Sequence, residues 1–149
     1  MKALFGSRFI VAVIVALLVG ALMAPASAQS RVATVSGGGQ GDFINHPGTT
    51  HFGMNFTIYS DGTAYGDFEC GIDGVVTLNG PVTNASIDSS GLVTYYGVAE
   101  VRFIGAAPFL MPYVAWARAG GPGVATFAFP SPIALLDPEI VTAGQIKIH

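Results

Sequence analysis

The feature that most constrains the fold of this chain is a strict alternation of apolar and mainly polar side chains over residues 50–59. The even positions from 52 to 58 carry Phe, Met, Phe and Ile, whereas the odd positions carry His, Gly, Asn, Thr and Tyr. Successive side chains of a β-strand point to opposite faces of a sheet, so a period of two residues predicts a strand with one buried face.

The residues that follow predict a hairpin with a three-residue turn at positions 60–62. A two-residue Asp-Gly loop would place Phe56 opposite Asp67 and put a carboxylate in the core, because directly paired residues share a face. A three-residue loop instead gives three pairs of apolar or small residues, which are Phe56–Gly66, Met54–Phe68 and Phe52–Cys70. We therefore expect Gly62 to be left-handed at the end of the turn.

The remaining sequence predicts a single all-β domain over residues 29–149. Gly and Pro recur throughout, and no apolar spacing of three and four residues lasts long enough for a helix. The predicted strands lie at residues 31–36, 50–59, 64–72, 75–78, 82–88, 92–104, 111–119, 124–129 and 145–149. About 8–10 short antiparallel strands are typical of a β-sandwich or a small open β-barrel, and the pattern leaves that choice open.

Two segments are predicted to lie outside the regular strands. Residues 38–42 resemble a glycine-rich calcium repeat, but their Asp comes one position too early and the segment is not repeated, so we expect a flexible loop. Residues 130–139 contain three prolines, which cannot donate to a ladder, and predict a loop or a sheet edge.

The first 28 residues have the composition of a cleavable secretory signal peptide. Lys2 and Arg8 are followed by an apolar run over residues 9–23, and small residues precede the expected cut after Ala28. The run is shorter than the roughly 20 residues that span a bilayer, which favours cleavage over a membrane anchor. We therefore expect a secreted protein, extracellular or periplasmic, without stable membrane insertion after cleavage.

The predicted domain is acidic and has few bases. The whole chain has six Lys and Arg against nine Asp and Glu, and the two bases of the leader leave four, so the net charge changes from −3 to −5. Such a surface repels phosphate backbones, and we expect no nucleic-acid partner.

The only cysteine, Cys70, excludes an intrachain disulfide and is predicted to face inward as a small apolar residue. The alternative is an exposed thiol that joins two chains.

Several glycine and aromatic landmarks are spread over residues 29–149. They are a Gly-Gly-Gly run after Ser36, the HFGMNF segment from His51, the Gly-Gly-Pro-Gly sequence at residues 120–123, and the ending AGQIKIH at residues 143–149. Together they resemble the post-COAP domain, a small β-module of larger secreted bacterial proteins. The resemblance implies a secreted β-module and brings no catalytic residue. The prolines within residues 130–138 depart from the pattern and leave the pairing of the last strands open.

Three residues near the start of the domain have side chains that suit a metal ion. Imidazole and carboxylate groups bind zinc and copper, and Asp42, His46 and His51 supply them. However, His46 precedes a proline in a predicted loop, whereas His51 lies on the outer face of a predicted strand. We therefore predict neither a metal site nor a cofactor, and keep these three residues as weak candidates.

Tyr59, Tyr65 and Tyr96 fall on predicted outer faces of strands. Exposed tyrosines stack on sugars or contact a partner protein, whereas a second sheet over this face would make them part of the core. We predict a secreted non-enzymatic module, for binding or for structure, with these tyrosines as ligand-binding residues. Its expected partner is an extracellular protein or a carbohydrate.

The alternative function is a small β-barrel enzyme, a hydrolase or an isomerase. Asp67 and Glu69 share one strand face about 7 Å apart, and glycosidases act through a pair of carboxylates that flank the scissile bond. Neighbours on one convex strand are usually surface residues, so we predict no catalytic residue. The enzyme alternative requires that these carboxylates converge with His46 or His51 in a concave pocket.

Overall fold

The computed structural model describes residues 29–129 and 138–149, and the predicted signal peptide lies outside them. The described strands are β1 (Arg31–Phe43), β2 (Thr49–Tyr59), β3 (Ala64–Ile72), β4 (Val76–Ile87), β5 (Leu92–Phe103), β6 (Phe109–Arg118), β7 (Thr126–Ala128) and β8 (Glu139–Ile148). Among the described residues there is no helix that is long and apolar enough to cross a membrane.

The eight described strands form one closed barrel in chain order. Each strand pairs antiparallel with the next, and β8 returns to pair with β1. Closure gives every strand two neighbours and removes the free edges of an open sheet. The all-β prediction is confirmed, and of the two arrangements that the sequence left open the structure has the barrel, in a closed form.

The first hairpin has the predicted register. Its inward-facing pairs are Phe56–Gly66, Met54–Phe68 and Phe52–Cys70. Gly62 has a φ of +83°, and its N–H donates to the carbonyl oxygen of Tyr59 at 3.0 Å. The predicted three-residue turn is therefore confirmed.

Other strand boundaries differ from the prediction because pairing with distant strands overrides local glycine and proline signals. The predicted flexible loop at residues 38–42 is wrong, since this segment belongs to β1 and pairs with both β2 and β8. Two predicted strands, at residues 75–78 and 82–88, are one strand, β4, with Pro81 inside it. A bulge between Val82 and Asn84 follows this proline and accommodates it.

The last strands also begin and end elsewhere than predicted. β6 begins two residues earlier, β7 is shorter, and β8 begins at Glu139 instead of residue 145. Residues 130–137 of the predicted loop or edge lie outside the described residues. Glu139 is the last residue of this predicted loop or edge. It does not lie at a sheet edge, because it pairs with Phe43 on one side and with Phe127 on the other.

Aromatic rings fill the inside of the barrel. The ring of Phe68 has its centroid 5.2 Å from that of Tyr95, and it is stacked on Phe129 at 5.8 Å. Phe52 and Phe127 are 4.4 Å apart. An eight-stranded barrel is just wide enough for side chains to fill it. A ligand is therefore expected on the outer surface or at an end of this barrel.

Candidate functional site

Two of the predicted binding residues, Tyr59 and Tyr65, lie side by side on the outer surface of the barrel. Their ring centroids are 5.6 Å apart in an edge-to-face arrangement. The pairing of β2 with β3 explains the contact. Tyr65 lies opposite Thr57, and Tyr59 follows Thr57 by two residues on the same strand face. Tyr65 is 63% exposed, so the alternative in which a second sheet covers it does not hold.

A groove of about 270 Å³ crosses the outer surface of β2, β3 and β4 and reaches Gly37 of β1. Tyr65 does not line it but lies two residues from Asp67, which does. Its polar walls are the side chains of Asn55, Asp67, Glu69 and Asn79. The register brings them together, since Asn55 lies opposite Asp67 and Asn79 lies opposite Glu69. Gly53 forms part of the floor, and a Cβ there would lie 2.7 Å from Glu69 Oε1. We call Tyr59, Tyr65 and these four polar residues the tyrosine–groove surface.

The tyrosine–groove surface combines two kinds of interaction within a short distance. Tyr65 and Asp67 are alternate residues of one strand and so lie about 7 Å apart on the same face. The carboxylates of Asp67 and Glu69 accept hydrogen bonds, whereas the amides of Asn55 and Asn79 both donate and accept them. This arrangement suits a ligand that is rich in hydroxyl groups and has one apolar face.

The third predicted tyrosine, Tyr96, does not join this surface. It lies on β5, opposite Asn84 on one side and Val114 on the other. It is 41% exposed, and the exposed Val98 is two residues away on the same face. Tyr96 therefore belongs to a mainly aliphatic part of the outer surface.

The three weak metal-ligand candidates are not brought together. The ring of His46 packs on Phe43 at a centroid distance of 4.3 Å. Asp42 accepts a hydrogen bond from a neighbouring threonine at 2.7 Å, and His51 Nδ1 lies 3.1 Å from Asp73 Oδ1. Across residues 29–129 and 138–149, no group of three His, Cys, Asp or Glu side chains is placed to hold a metal ion.

A second groove, of about 350 Å³, lies where the β3–β4 turn meets the β5–β6 loop. His51 and Asp73 line it together with Arg102, whose guanidinium donates to Glu100 at 2.9 Å. Arg102 is therefore paired with Glu100, and Asp73 lies within hydrogen-bond distance of His51. His51 lines this groove, whereas Asp67 and Glu69 line the other, so these residues of the enzyme alternative do not share one of the two grooves.

Glu139 is the main polar feature of the interior and is not among the residues that the sequence predicts as functional. This side chain is fully buried, and its Oε2 accepts a hydrogen bond from Thr50 Oγ1. Its Oε1 has no hydrogen-bond partner among the described residues. Burial raises the pKa of the Glu139 carboxyl from 4.5 to about 8, and the charge of Asp42 adds to the rise. Only the alternation of side chains along β8 could have indicated its burial, since Glu139 lies two residues before Val141 and shares its inward face.

Two further titratable side chains, Cys70 and Tyr95, are buried in the barrel. Cys70 is 1% exposed, which confirms its predicted inward orientation. Burial raises the pKa of its thiol far above the usual range, and a protonated, enclosed thiol is a poor nucleophile. Tyr95 is also fully buried, and its Oη has no hydrogen-bond partner among the described residues.

Removing the Tyr95 hydroxyl is expected to stabilise the protein. Tyr95→Phe keeps the ring in its aromatic contacts and removes a buried polar atom that has no partner, so the free energy of unfolding should rise by about 1–2 kcal/mol. Urea denaturation measures the change. The matched variant is Tyr113→Phe, because Tyr113 Oη donates to the carbonyl oxygen of Pro81 at 3.0 Å. That variant should lose about 1 kcal/mol, and losses in both variants would contradict the assignment of Tyr95 Oη as unpaired.

Comparisons with protein-family models, with curated protein sequences and with solved structures find no match to this chain. The structure itself defines a closed, antiparallel, up-and-down β-barrel with an aromatic interior. Its outer surface carries an edge-to-face tyrosine pair beside a polar groove.

Proposed function

We propose that this chain is a secreted, non-enzymatic binding module that recognises carbohydrate through the tyrosine–groove surface. The observation that carries the proposal is a groove lined by two carboxylates and two amides, with the exposed Tyr65 two residues from Asp67 on the same outer face of β3. Secretion is supported by the composition of residues 1–28. The resemblance to the post-COAP domain stays a prediction and adds no activity.

The chemistry of a sugar ring is complementary to this surface. One face of a pyranose carries C–H groups, which pack on an aromatic ring, while its hydroxyl groups both donate and accept hydrogen bonds. Tyr65 supplies the exposed ring, and Asp67 and Asn55 supply polar groups of the groove two positions along the paired strands. All of these residues lie on paired strands, so the site is held in place before the ligand arrives and little ordering is needed on binding.

The groove favours a carbohydrate over the other predicted partner, a protein. The most strongly bound part of a protein interface is usually a desolvated apolar or aromatic cluster, with charged residues depleted at its centre. Here the centre of the groove is formed by Asp67, Glu69 and their amide neighbours, and both carboxylates are exposed. Hydroxyl groups of a sugar can satisfy such groups without removing them fully from water.

The same exposure favours binding over hydrolysis. Asp67 and Glu69 lie on one strand and are open to solvent. A glycosidase needs a general acid in apolar surroundings and a second carboxylate across the scissile bond. Neither carboxyl has that enclosure.

The proposal is tested by titrating the purified chain with neutral oligosaccharides of cellulose, xylan, mannan and chitin in a calorimeter. We expect one of these classes to bind, and Tyr65→Ala to weaken that binding about tenfold or more, because an aromatic contact contributes roughly 1 kcal/mol beyond its buried area. Tyr96→Ala is the matched control and should leave the dissociation constant unchanged. The absence of binding to all four classes, or an equal loss in both variants, would refute the proposal.

A further inference from the structure

The groove of the tyrosine–groove surface carries negative charge. Asp67 and Glu69 line it together with neutral amides, and the described residues that line it include no Lys, Arg or His. Within residues 29–129 and 138–149, neither carboxylate has a hydrogen bond or an ion pair with another residue. Two exposed, unpaired carboxylates in one groove favour a ligand that brings positive charge.

The side chain of Glu69 lies across the floor of this groove. Gly53 on β2 is opposite Glu69 on β3, and a Cβ on Gly53 would lie 2.7 Å from Glu69 Oε1 and 3.0 Å from Glu69 Cγ. The missing side chain of Gly53 therefore makes room for the carboxylate over β2. The Cα atoms of Asp67 and Glu69 are about 7 Å apart along β3, so a ligand in the groove meets both charges.

The two bases nearest to this surface in the strand register are still distant from the groove. Pairing through β1 and β2 relates Lys147 to Asp67 across three strand spacings, or about 14 Å. Arg31 lies opposite Tyr59, which is four residues, or about 13 Å, from Asn55 along β2. Both distances exceed the Debye length of about 8 Å at physiological salt. The remaining described bases, on β5 and β6, are held by hydrogen bonds to other residues.

We infer that the tyrosine–groove surface prefers oligosaccharides of amino sugars with free ammonium groups, such as glucosamine, over neutral ones. This inference rests on the proposed carbohydrate binding and specifies its ligand class. An ammonium group has three donors and no acceptor, which matches the acceptor-only carboxylates of Asp67 and Glu69. Hydrogen bonds between two charged groups are also stronger than those of a neutral hydroxyl. Tyr65 packs on the apolar face of the same sugar ring.

A basic peptide is the other ligand that brings ammonium groups to the groove. Its lysine side chains carry the charge on flexible stems and lose rotamer freedom when they bind. In an amino sugar, the ammonium group is fixed to the ring that Tyr65 contacts, so less freedom is lost. The surface therefore favours the amino sugar, and a lysine peptide serves as a comparison in the test.

The test compares oligomers of glucosamine and of N-acetylglucosamine of equal length in a calorimeter at pH 6, below the ordinary pKa range of amines. The two ligands share the sugar ring, and the nitrogen is charged in the first and acylated in the second. We expect the wild-type chain to bind the glucosamine oligomer roughly three- to tenfold more tightly, because each exposed ion pair contributes modestly. This preference should shrink in 1 M salt, where the Debye length is about 3 Å.

Variants that keep the shape of the groove assign the preference to its charge. Asp67→Asn combined with Glu69→Gln should weaken glucosamine binding roughly three- to tenfold and change N-acetylglucosamine binding by less than about twofold. Asp73→Asn is the matched control, because its side chain is 96% exposed and lines the other groove. It should bind both oligomers as the wild-type chain does. Tyr65→Ala should weaken both by the same factor.

The outcomes separate this inference from the proposed function. Equal binding of the two oligomers by the wild-type chain, or a preference that persists in 1 M salt or in the double variant, would overturn the inference and leave carbohydrate binding intact. A short lysine peptide that binds as tightly as the glucosamine oligomer would also overturn it, because charge alone would then be sufficient. If neither oligomer binds, the inference fails, whereas the proposed function fails only if the other neutral oligosaccharides do not bind either.

Discussion

Phe68→Ala is expected to lower the free energy of unfolding by about 3–5 kcal/mol. Phe68 is 1% exposed, and its ring centroid lies 5.2 Å from that of Tyr95, 5.9 Å from Tyr113 and 5.8 Å from Phe129. Its removal leaves a cavity at the centre of these rings. The surrounding strands cannot close the cavity, because each is fixed by hydrogen bonds to two neighbours in the closed barrel. Urea denaturation at a pH below 7 measures the loss.

The matched control for this prediction is Phe109→Ala on the barrel surface. Phe109 is 44% exposed and has one stacked neighbour, Phe103, at 6.4 Å. The same change of side chain should cost below about 1 kcal/mol there. If the two variants lost equal stability, the aromatic interior would not be the main source of stability in this barrel.

The register of the first hairpin could be predicted from sequence because a shifted register would place charged side chains in the core. A slip of β3 by a single residue would turn Asp67 and Glu69 into the barrel and Phe68 out of it. The outward position of Tyr59 and Tyr65 follows from the same parity, and the structure confirms it. These conclusions needed only residues that are close together in the chain.

The closure of the barrel could not be predicted, because it depends on residues that are far apart in the chain. The glycines of β1 indicate a loop locally, yet they allow β1 to approach β8. A Cβ on Gly39 would lie 1.9 Å from the carbonyl oxygen of Ala143, and one on Gly37 would lie 2.5 Å from that of Gln145. In this strand glycine serves close approach between backbones and not flexibility.

The candidate site shows the same division between local and distant information. Asp67 and Tyr65 were visible in the hairpin pattern, whereas Asn79 reaches the groove through the pairing of β4 with β3. Glu139 and Thr50 are 89 positions apart, and no local pattern relates them. Side chains that meet across distant strands are therefore the part of the site that a single sequence does not reveal.

Gly66→Ala is expected to lower the free energy of unfolding by about 3 kcal/mol, from backbone strain and overpacking together. Gly66 has a φ of +142°, which side chains of L-residues rarely adopt. A Cβ there would lie 2.0 Å from the carbonyl oxygen of Asn55 and 2.5 Å from the Cα of Phe56. Because neither backbone atom can move alone, β2 and β3 would have to separate at this point. Urea denaturation measures the effect, and weaker oligosaccharide binding should accompany it, since Asn55 and Tyr65 flank the clash.

Gly62→Ala distinguishes the two causes of that loss. Gly62 also has a positive φ, of +83°, but no atom lies within 4 Å of the position that its Cβ would take. Only backbone strain acts there, and it should cost about 1–2 kcal/mol. A loss in Gly66→Ala well above the loss in Gly62→Ala is expected from the close approach of β2 and β3. A loss as large in Gly62→Ala as in Gly66→Ala would mean that backbone conformation, and not the close approach of the strands, requires glycine at position 66.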